Sequence, residues 1–308
     1  MENEAKTSNS LVPKSPGKAT ITLDNGYRGI VSSVDPTGRV ISADDWKAVL
    51  KGLENLLESP KKVLKSDGST TVAIYDLDIS GKIIPVVIKS HIFKPSIKNI
   101  ICRSFRDKSF RNFLTADKLC DNQIPVIFPL AALKQKQGLS TIKSVYVTEY
   151  SVNSSNLHDF ISDNLSNSSP DVRSFEIKKQ LGSQIAAIFA GLDKAGLWHR
   201  DAKAGNFLVT CKSQTDLKVS LVDMDGIKRN VFRTDNKRYR GLAKLASTLN
   251  FSGAINMTDY LRSFMIYCNL TSIYKSKCRV VFRRISRLAP AMRLMTLAKS
   301  AMNTKQGR

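Results

Sequence analysis

A polar string too specific for an ordinary loop dominates this sequence: Trp198-His199-Arg200-Asp201-Ala202-Lys203-Ala204-Gly205-Asn206, then Leu221-Val222-Asp223-Met224-Asp225. In pattern form it is H-R-D-x-K-x-x-N followed by D-x-D. It comes after Ile177, Leu181, Ile185, Ile188 and Leu192, which share one helical face, and after Gly196, a natural helix stop. Two short β-like runs, Phe207–Thr210 and Val219–Val222, flank a polar turn behind it. Phosphoryl transfer needs a carboxylate that orients or deprotonates the attacking hydroxyl, and oxygen ligands that hold Mg²⁺ on nucleotide phosphates. Asp201 suits the first role. Asn206, five residues on, and Asp223, at the end of the second run, suit the second, and Lys203 can neutralise charge on the moving phosphoryl group. His199 has no Cys or Asp partner in triad order and reads as a packed, hydrogen-bonded loop histidine.

These residues resemble the protein-kinase-like superfamily, and within it the bacterial lipopolysaccharide kinase family, which phosphorylates heptose or 3-deoxy-manno-octulosonic acid in lipid A–core. The likeness is carried by W-H-R-D-A-K-A-G-N-F-L-V, by L-V-D-M-D where protein kinases have D-F-G, and by Arg238-Tyr239-Arg240-Gly241-Leu242-Ala243-Lys244-Leu245. It spans roughly Val63 to Leu270. It implies an α+β, two-lobed kinase-like fold with ATP in the cleft between the lobes and Mg²⁺ as cofactor. It assigns Asp201 as catalytic base, with Asn206 and Asp223 as metal ligands, and puts Asp225 where the family and the aminoglycoside phosphotransferases keep a second acid.

The front half is β-rich. Ser42 is a candidate N-cap for a helix with Trp46, Val49, Leu50, Leu53, Leu56 and Leu57 at helical spacing, closed by Pro60. Strand candidates are Lys62–Lys65, Thr71–Asp78, Ile83–Ser90, Val126–Leu130 and Val145–Tyr150, with a basic helical segment from Ser104 to Cys120 between the third and fourth. The expected organisation is a leader at 1–20, an extension with one helix at 21–60, a front lobe at 61–152, an α-rich back lobe at 153–270 and a basic amphipathic tail at 271–308. In the front lobe, the turn holding Asp67, Gly68 and Ser69 could fold over phosphates with its backbone N–H groups. Lys89, in Val86-Val87-Ile88-Lys89, lies on the third strand, where kinases keep the lysine that pairs the α- and β-phosphates. Glu149 completes the nucleotide-binding candidates. Ser109 stands where the acid pairing with Lys89 is expected, with Asp107 and Asp117 nearby, and Pro85 is an unusual residue for a central strand.

Charge narrows the partners. Of 308 residues 48 are Lys or Arg and 26 Asp or Glu, and after Asp259 there is no acid but eleven Lys/Arg. Such a balance predicts an anionic partner. The aromatics of the tail, Phe264, Tyr267, Tyr274 and Phe282, mix with apolar residues instead of cations, so nucleic acid is not the expected partner. No A-P-E follows Asp225, which favours a non-peptide acceptor. Lys228, Arg229, Arg233, Lys237 and Arg238 could hold an anionic sugar or phosphorylated lipid head group. Atypical protein kinase, small-molecule phosphotransferase and non-catalytic kinase-like module remain the alternatives. No run is long and apolar enough to span a membrane, the N-terminus lacks a secretory h-region, and five cysteines without C-x-x-C spacing read as reduced thiols. The expected place is the cytoplasm, peripheral on the inner membrane. There Val281, Ile285, Leu288, Met292 and Met295 would face lipid, with Arg279, Arg283 and Arg287 toward anionic head groups and a kink at Pro290.

Overall fold

The computed structural model describes residues 16–93, 108–138, 140–165, 171–213, 216–230, 235–249, 253–273 and 275–306. The chain divides into two compact units, Met1–Tyr150 and Ser151–Arg308, and its class is α+β as expected.

The front unit is one antiparallel seven-stranded sheet, with order β1-β2-β6-β7-β5-β4-β3. The strands are β1 (Ala19–Thr22), β2 (Tyr27–Val31), β3 (Lys62–Asp67), β4 (Thr70–Ile79), β5 (Lys82–Ile92), β6 (Pro129–Gln137) and β7 (Ser140–Glu149). Five strands were expected; β1 and β2 are additional, and they join the sheet through β6, with Val31 opposite Ala131. The fourth strand begins at Pro129, later than the expected Val126. Ser42 caps α1 (Ala43–Leu50) in a reciprocal capping box with Asp45. The expected single helix breaks at Lys51-Gly52, and α2 (Leu53–Glu58) follows. Both helices still deliver Trp46, Leu50 and Leu53 to a core shared with Tyr27, Tyr75, Leu77, Ile88 and Val147. Each such side chain contributes about 1.5–3 kcal/mol on full burial. The Trp46 indole N–H donates to the Ser32 carbonyl at 2.8 Å, so the buried ring leaves no orphan donor. On the opposite face α3 (Lys108–Asp121) packs Phe113 against Ala132 and Tyr146.

Pro85 does sit in a central strand, and its position explains why it is tolerated. The β5–β7 ladder begins at Val86 opposite Glu149, and the Pro85 carbonyl accepts from Tyr150 N–H just beyond it. A strand residue's N–H and C=O point to the same side, so the donor Pro85 lacks faces the end of that ladder and no β4–β5 bond is lost.

The back unit has β8 (Ser154–Asn156), α4 (Leu157–Leu165), α5 (Val172–Lys194), β9 (Leu197–His199), β10 (Phe207–Ser213), β11 (Asp216–Leu221), β12 (Ile227–Arg229), α6 (Asp235–Leu249), α7 (Met257–Leu270) and α8 (Lys275–Gln306). Strands β8, β10 and β11 form one small sheet, and β9 pairs with β12. In α5, Ile177, Leu181, Ile188 and Leu192 are buried as their spacing predicts, and Gly196 takes φ +67 to end it. Helix α5 packs tightly on α7: a Cβ at Gly182 would lie 2.1 Å from Ser263 Oγ. The α8 stripe is only half as expected. Cys278, Val281, Ile285 and Ala289 are buried in the protein, and Phe282 packs against Phe264 with tilted rings at 5.4 Å. The helix continues through Pro290, and beyond it Leu294, Met295 and Leu297 are exposed. Cys120, Cys211, Cys268 and Cys278 are free thiols, as expected; Cys102 and Tyr274 lie outside the described residues. No helix among the described residues is long and apolar enough to cross a membrane.

Candidate active site

Two loops of the back unit are stitched together at both ends. Strand β9 leads into the first, and β12 leaves the second, paired so that His199 faces Ile227 and Trp198 faces Lys228. At one end Arg200 N–H donates to the Gly226 carbonyl at 2.8 Å; at the other, Val222 N–H donates to the Asn206 carbonyl at 3.2 Å. Segments 200–206 and 222–226 are therefore one backbone-bonded frame, and it carries Asp201, Lys203, Asn206, Asp223 and Asp225.

Within the frame the first loop is tightly wound. Lys203 N–H donates to the Asp201 carbonyl at 2.9 Å, and Asn206 N–H to the Lys203 carbonyl at 2.8 Å. The Asn206 side-chain amide donates to the Asp201 carbonyl at 2.8 Å. Asn206 is buried, and its amide nitrogen is committed, which leaves Oδ1 as an acceptor for a ligand. The Asp201 carboxylate is about half exposed and lies 3.6 Å from Lys203 Nζ. In the second loop Asp223 caps a short turn, accepting from Asp225 N–H at 3.1 Å with one oxygen. Sequence reasoning missed a further contact: Thr248 on α6 accepts from Ala204 N–H at 3.0 Å with its hydroxyl. A lone threonine on a helix carries no sequence signal for such a role.

His199 departs from expectation. It is buried, but among the described residues neither ring nitrogen has a hydrogen-bond partner. Its ring stacks on Phe207 at 6.2 Å and fills the space at Gly226, where a Cβ would lie 2.4 Å from Cε1. Burial pushes its pKa down to about 4, against the pull of Asp223 and Asp201. The ring is thus neutral near pH 7 and acts as packing between the two loops. The D-x-D-G run contained the signal for this: only glycine fits beneath that ring.

No group of three or more His, Cys, Asp or Glu among the described residues could hold a metal by itself. Two carboxylates with an amide oxygen is instead the sparse donor set that suits Mg²⁺, which keeps waters and shares phosphate oxygens. The residues present fit that ion by the chemistry of their donors.

In the front unit, Lys89 lies across from Val72 and Tyr146, on the sheet face that carries α3 and away from Ile88. Among the described residues no acid pairs with it. Ser109 is buried and bonded to Ser144 at 2.6 Å, and Asp117 pairs with Lys18 at 2.5 Å; Asp107 lies outside the described residues. Glu149 sits opposite Val86, on the other face from Lys89, so the sheet does not bring these two together. The expected phosphate loop is a two-residue turn, Gly68-Ser69, with Asp67 opposite Thr70 and φ +42 at Gly68. Of the basic stretch after Asp225, Arg238 is committed to Asp193 at 2.9 Å and to Asp235, while Tyr267 also donates to Asp193. Lys237 lies over the Trp198 ring at 6.0 Å. Arg233 is outside the described residues.

The family model described as lipopolysaccharide kinase (Kdo/WaaP) matches residues 93–265. Among solved structures, one of WaaP in complex with acyl carrier protein matches with TM-score 0.58 and 18% identity, covering 80% of this chain and 96% of that one. A Toxoplasma gondii rhoptry antigen kinase domain matches with TM-score 0.44 and 13% identity over 75% of this chain and 83% of that one. The Mycobacterium tuberculosis PknI kinase domain gives 0.43 and 15% over 75% and 95%. No curated protein matches the chain. The fold is kinase-like, with a β-rich front unit holding one main sheet-packed helix and an α-rich back unit. Since the family match spans more than half of the residues and includes the whole stitched frame, this chain belongs to the lipopolysaccharide kinase (Kdo/WaaP) family.

Proposed function

We propose that the chain transfers the γ-phosphate of ATP to a hydroxyl of a sugar in a lipopolysaccharide-type glycolipid, heptose or 3-deoxy-manno-octulosonic acid of lipid A–core. The observation that carries this reading is the stitched frame, in which backbone bonds hold Asp201 and Asn206 against the loop of Asp223. A carboxylate on a fixed loop can accept the proton of an acceptor hydroxyl as it attacks, and Asp201 is exposed enough to meet one. Lys203, beside it, balances negative charge gathering at the transferred group. Asn206 Oδ1 and Asp223, with Asp225 as the second acid, would hold Mg²⁺. ATP supplies the phosphoryl group, and Mg²⁺ neutralises charge on its phosphate oxygens. In the front unit, Lys89 and the Gly68-Ser69 turn, with Asp67 and Glu149, are the nucleotide-binding candidates. An anionic acceptor agrees with the excess of 48 Lys and Arg over 26 acids.

The test is transfer from γ-labelled ATP to lipid A–core stripped of phosphate. Asp201→Asn keeps shape and hydrogen bonding but removes the base, so kcat falls by about 10²–10⁴ while nucleotide affinity is unchanged. Asp223→Ala loses Mg²⁺-dependent nucleotide binding. Wild-type turnover by Asp201→Asn, or no transfer to any core sugar by the wild type, overturns the reading.

A further inference from the structure

Helix α8 changes chemistry along its solvent face. Up to Ala289 one side of the helix is core, formed by Cys278, Val281, Ile285 and Ala289, and it walls an apolar pocket with α5, α6 and α7. The opposite side shows Arg279, Arg283 and Arg287, spaced i, i+4, i+8 and all exposed. At 1.5 Å per residue they form a cationic row about 12 Å long. Among the described residues none of the three meets an acid, and the sequence has none after Asp259. Past Pro290 the same outward side becomes apolar, with Leu294 68% and Leu297 48% exposed, and Met295, 66% exposed, flanks it. Side chains of that kind left in water at the end of a helix call for a covering partner.

The partner must offer anionic groups beside an apolar phase, in that order along one helix. A second copy of this helix does not, since it carries no acid to meet the arginines. A folded acidic protein would need an apolar groove directly beyond its acidic face, and it is the alternative that the vesicle test separates. A leaflet of anionic phospholipid offers both, with phosphates at the level of the arginines and acyl chains for Leu294, Met295 and Leu297. We propose that the outward face of α8 from Arg279 to Leu297 is a membrane-docking surface, with the distal segment after Pro290 entering an anionic leaflet and the arginine row held at its head groups. This reverses the sequence expectation, in which Val281 and Ile285 faced lipid: those two are core, and the lipid-facing residues lie further on. The proposal deepens the glycolipid-kinase reading and rests on it only for its purpose, since it brings the enzyme to the leaflet that holds its acceptor.

The experiment is co-sedimentation of the full chain with phosphatidylcholine vesicles, with and without phosphatidylglycerol, at low and high salt. Wild type binds the phosphatidylglycerol vesicles, ignores the neutral ones and is released by salt. A cation near an anionic leaflet contributes about a fivefold factor, so Arg279→Gln, Arg283→Gln and Arg287→Gln together weaken binding about a hundredfold. Leu294→Ser with Leu297→Ser weakens it roughly tenfold or more. All five positions are exposed, so unfolding midpoints stay at the wild-type value. Equal binding to both vesicle types, or a triple variant that binds like wild type, overturns the proposal. So does wild type that ignores both vesicle types at low salt; if its arginine row then binds a small acidic protein, the face is a protein interface. The vesicles contain no sugar acceptor, and turnover on detergent-dispersed acceptor is read in parallel, so failure of docking and failure of the kinase reading are separate results.

Discussion

Thr248 offers a clean perturbation of the Asp201 loop from outside it. Its hydroxyl accepts from Ala204 N–H at 3.0 Å and donates to the Leu245 carbonyl at 2.8 Å. Ala204, only 1% exposed, stands between Lys203 and Asn206. Thr248→Val keeps the side-chain shape and removes the acceptor. The Leu245 carbonyl loses only an extra bond, but the Ala204 amide is left buried where water does not reach. An unsatisfied buried donor costs about 1–3 kcal/mol. In a unit the size of Ser151–Arg308, a loss of about 2 kcal/mol lowers the unfolding midpoint by roughly 4–8 °C. The amide can also recover by letting the loop shift toward water, and that exchanges stability for geometry. A shift of about 1 Å at the reacting groups costs up to about a hundredfold in turnover. Calorimetry and steady-state kinetics should show a lower midpoint, a lower kcat or both, with nucleotide KM nearly constant. Thr248→Ser, which restores the hydroxyl, should recover most of the loss. A valine variant with wild-type midpoint and wild-type kcat would refute the argument.

Gly226→Ala should fail for a steric reason, because the new Cβ falls 2.4 Å from Cε1 and 2.6 Å from Nδ1 of the buried His199 ring. With Phe207 behind that ring, we expect a loss of about 1–3 kcal/mol and of turnover; an unaltered melting curve would show that the loops tolerate separation. Asp35 provides the pH dependence. It is fully buried, and burial alone would raise its pKa, but bonds from Lys82 at 2.8 Å, Thr37 and Arg39 outweigh that and hold the carboxyl well below the usual range. A depressed folded pKa gives stability that is complete above about pH 5 and lost as pH falls. Asp35→Asn should therefore unfold more easily at neutral pH and lose less on acidification. Parallel stability–pH curves for variant and wild type would contradict this.

The candidate site was more legible than the scaffold around it. Asp201, Lys203, Asn206, Asp223 and Asp225 occupy two short windows of fixed spacing, and local sequence order places them in one frame. Strands β1 and β2 left little trace, being four and five residues long with polar residues inside them. Their place in the sheet depends on pairing with β6, about a hundred residues away. The onset of β6 was misjudged because its second half, Lys134–Gln137, is polar and partly exposed, while the apolar residues before Pro129 are not paired as a strand. The apolar stripe of α8 was seen, but periodicity does not say which part of a stripe finds a neighbour. Packing on α6 and α7 covers Val281 and Ile285, while further along Lys244 of α6 still bonds Thr296 at 3.0 Å but Leu294, Met295 and Leu297 are left exposed.

The two tryptophans fall one to each unit. Trp46 is sealed in the front core with its indole bonded to Ser32, so its emission reports that core alone and resists soluble quenchers. Trp198 is half-buried on β9, under Lys237 and three residues before Asp201. Its emission senses charge arriving at the Asp201 loop. The molecule thus carries separate optical labels for its two halves, and a Trp46→Phe variant leaves a single fluorophore beside the site, with no dye attached.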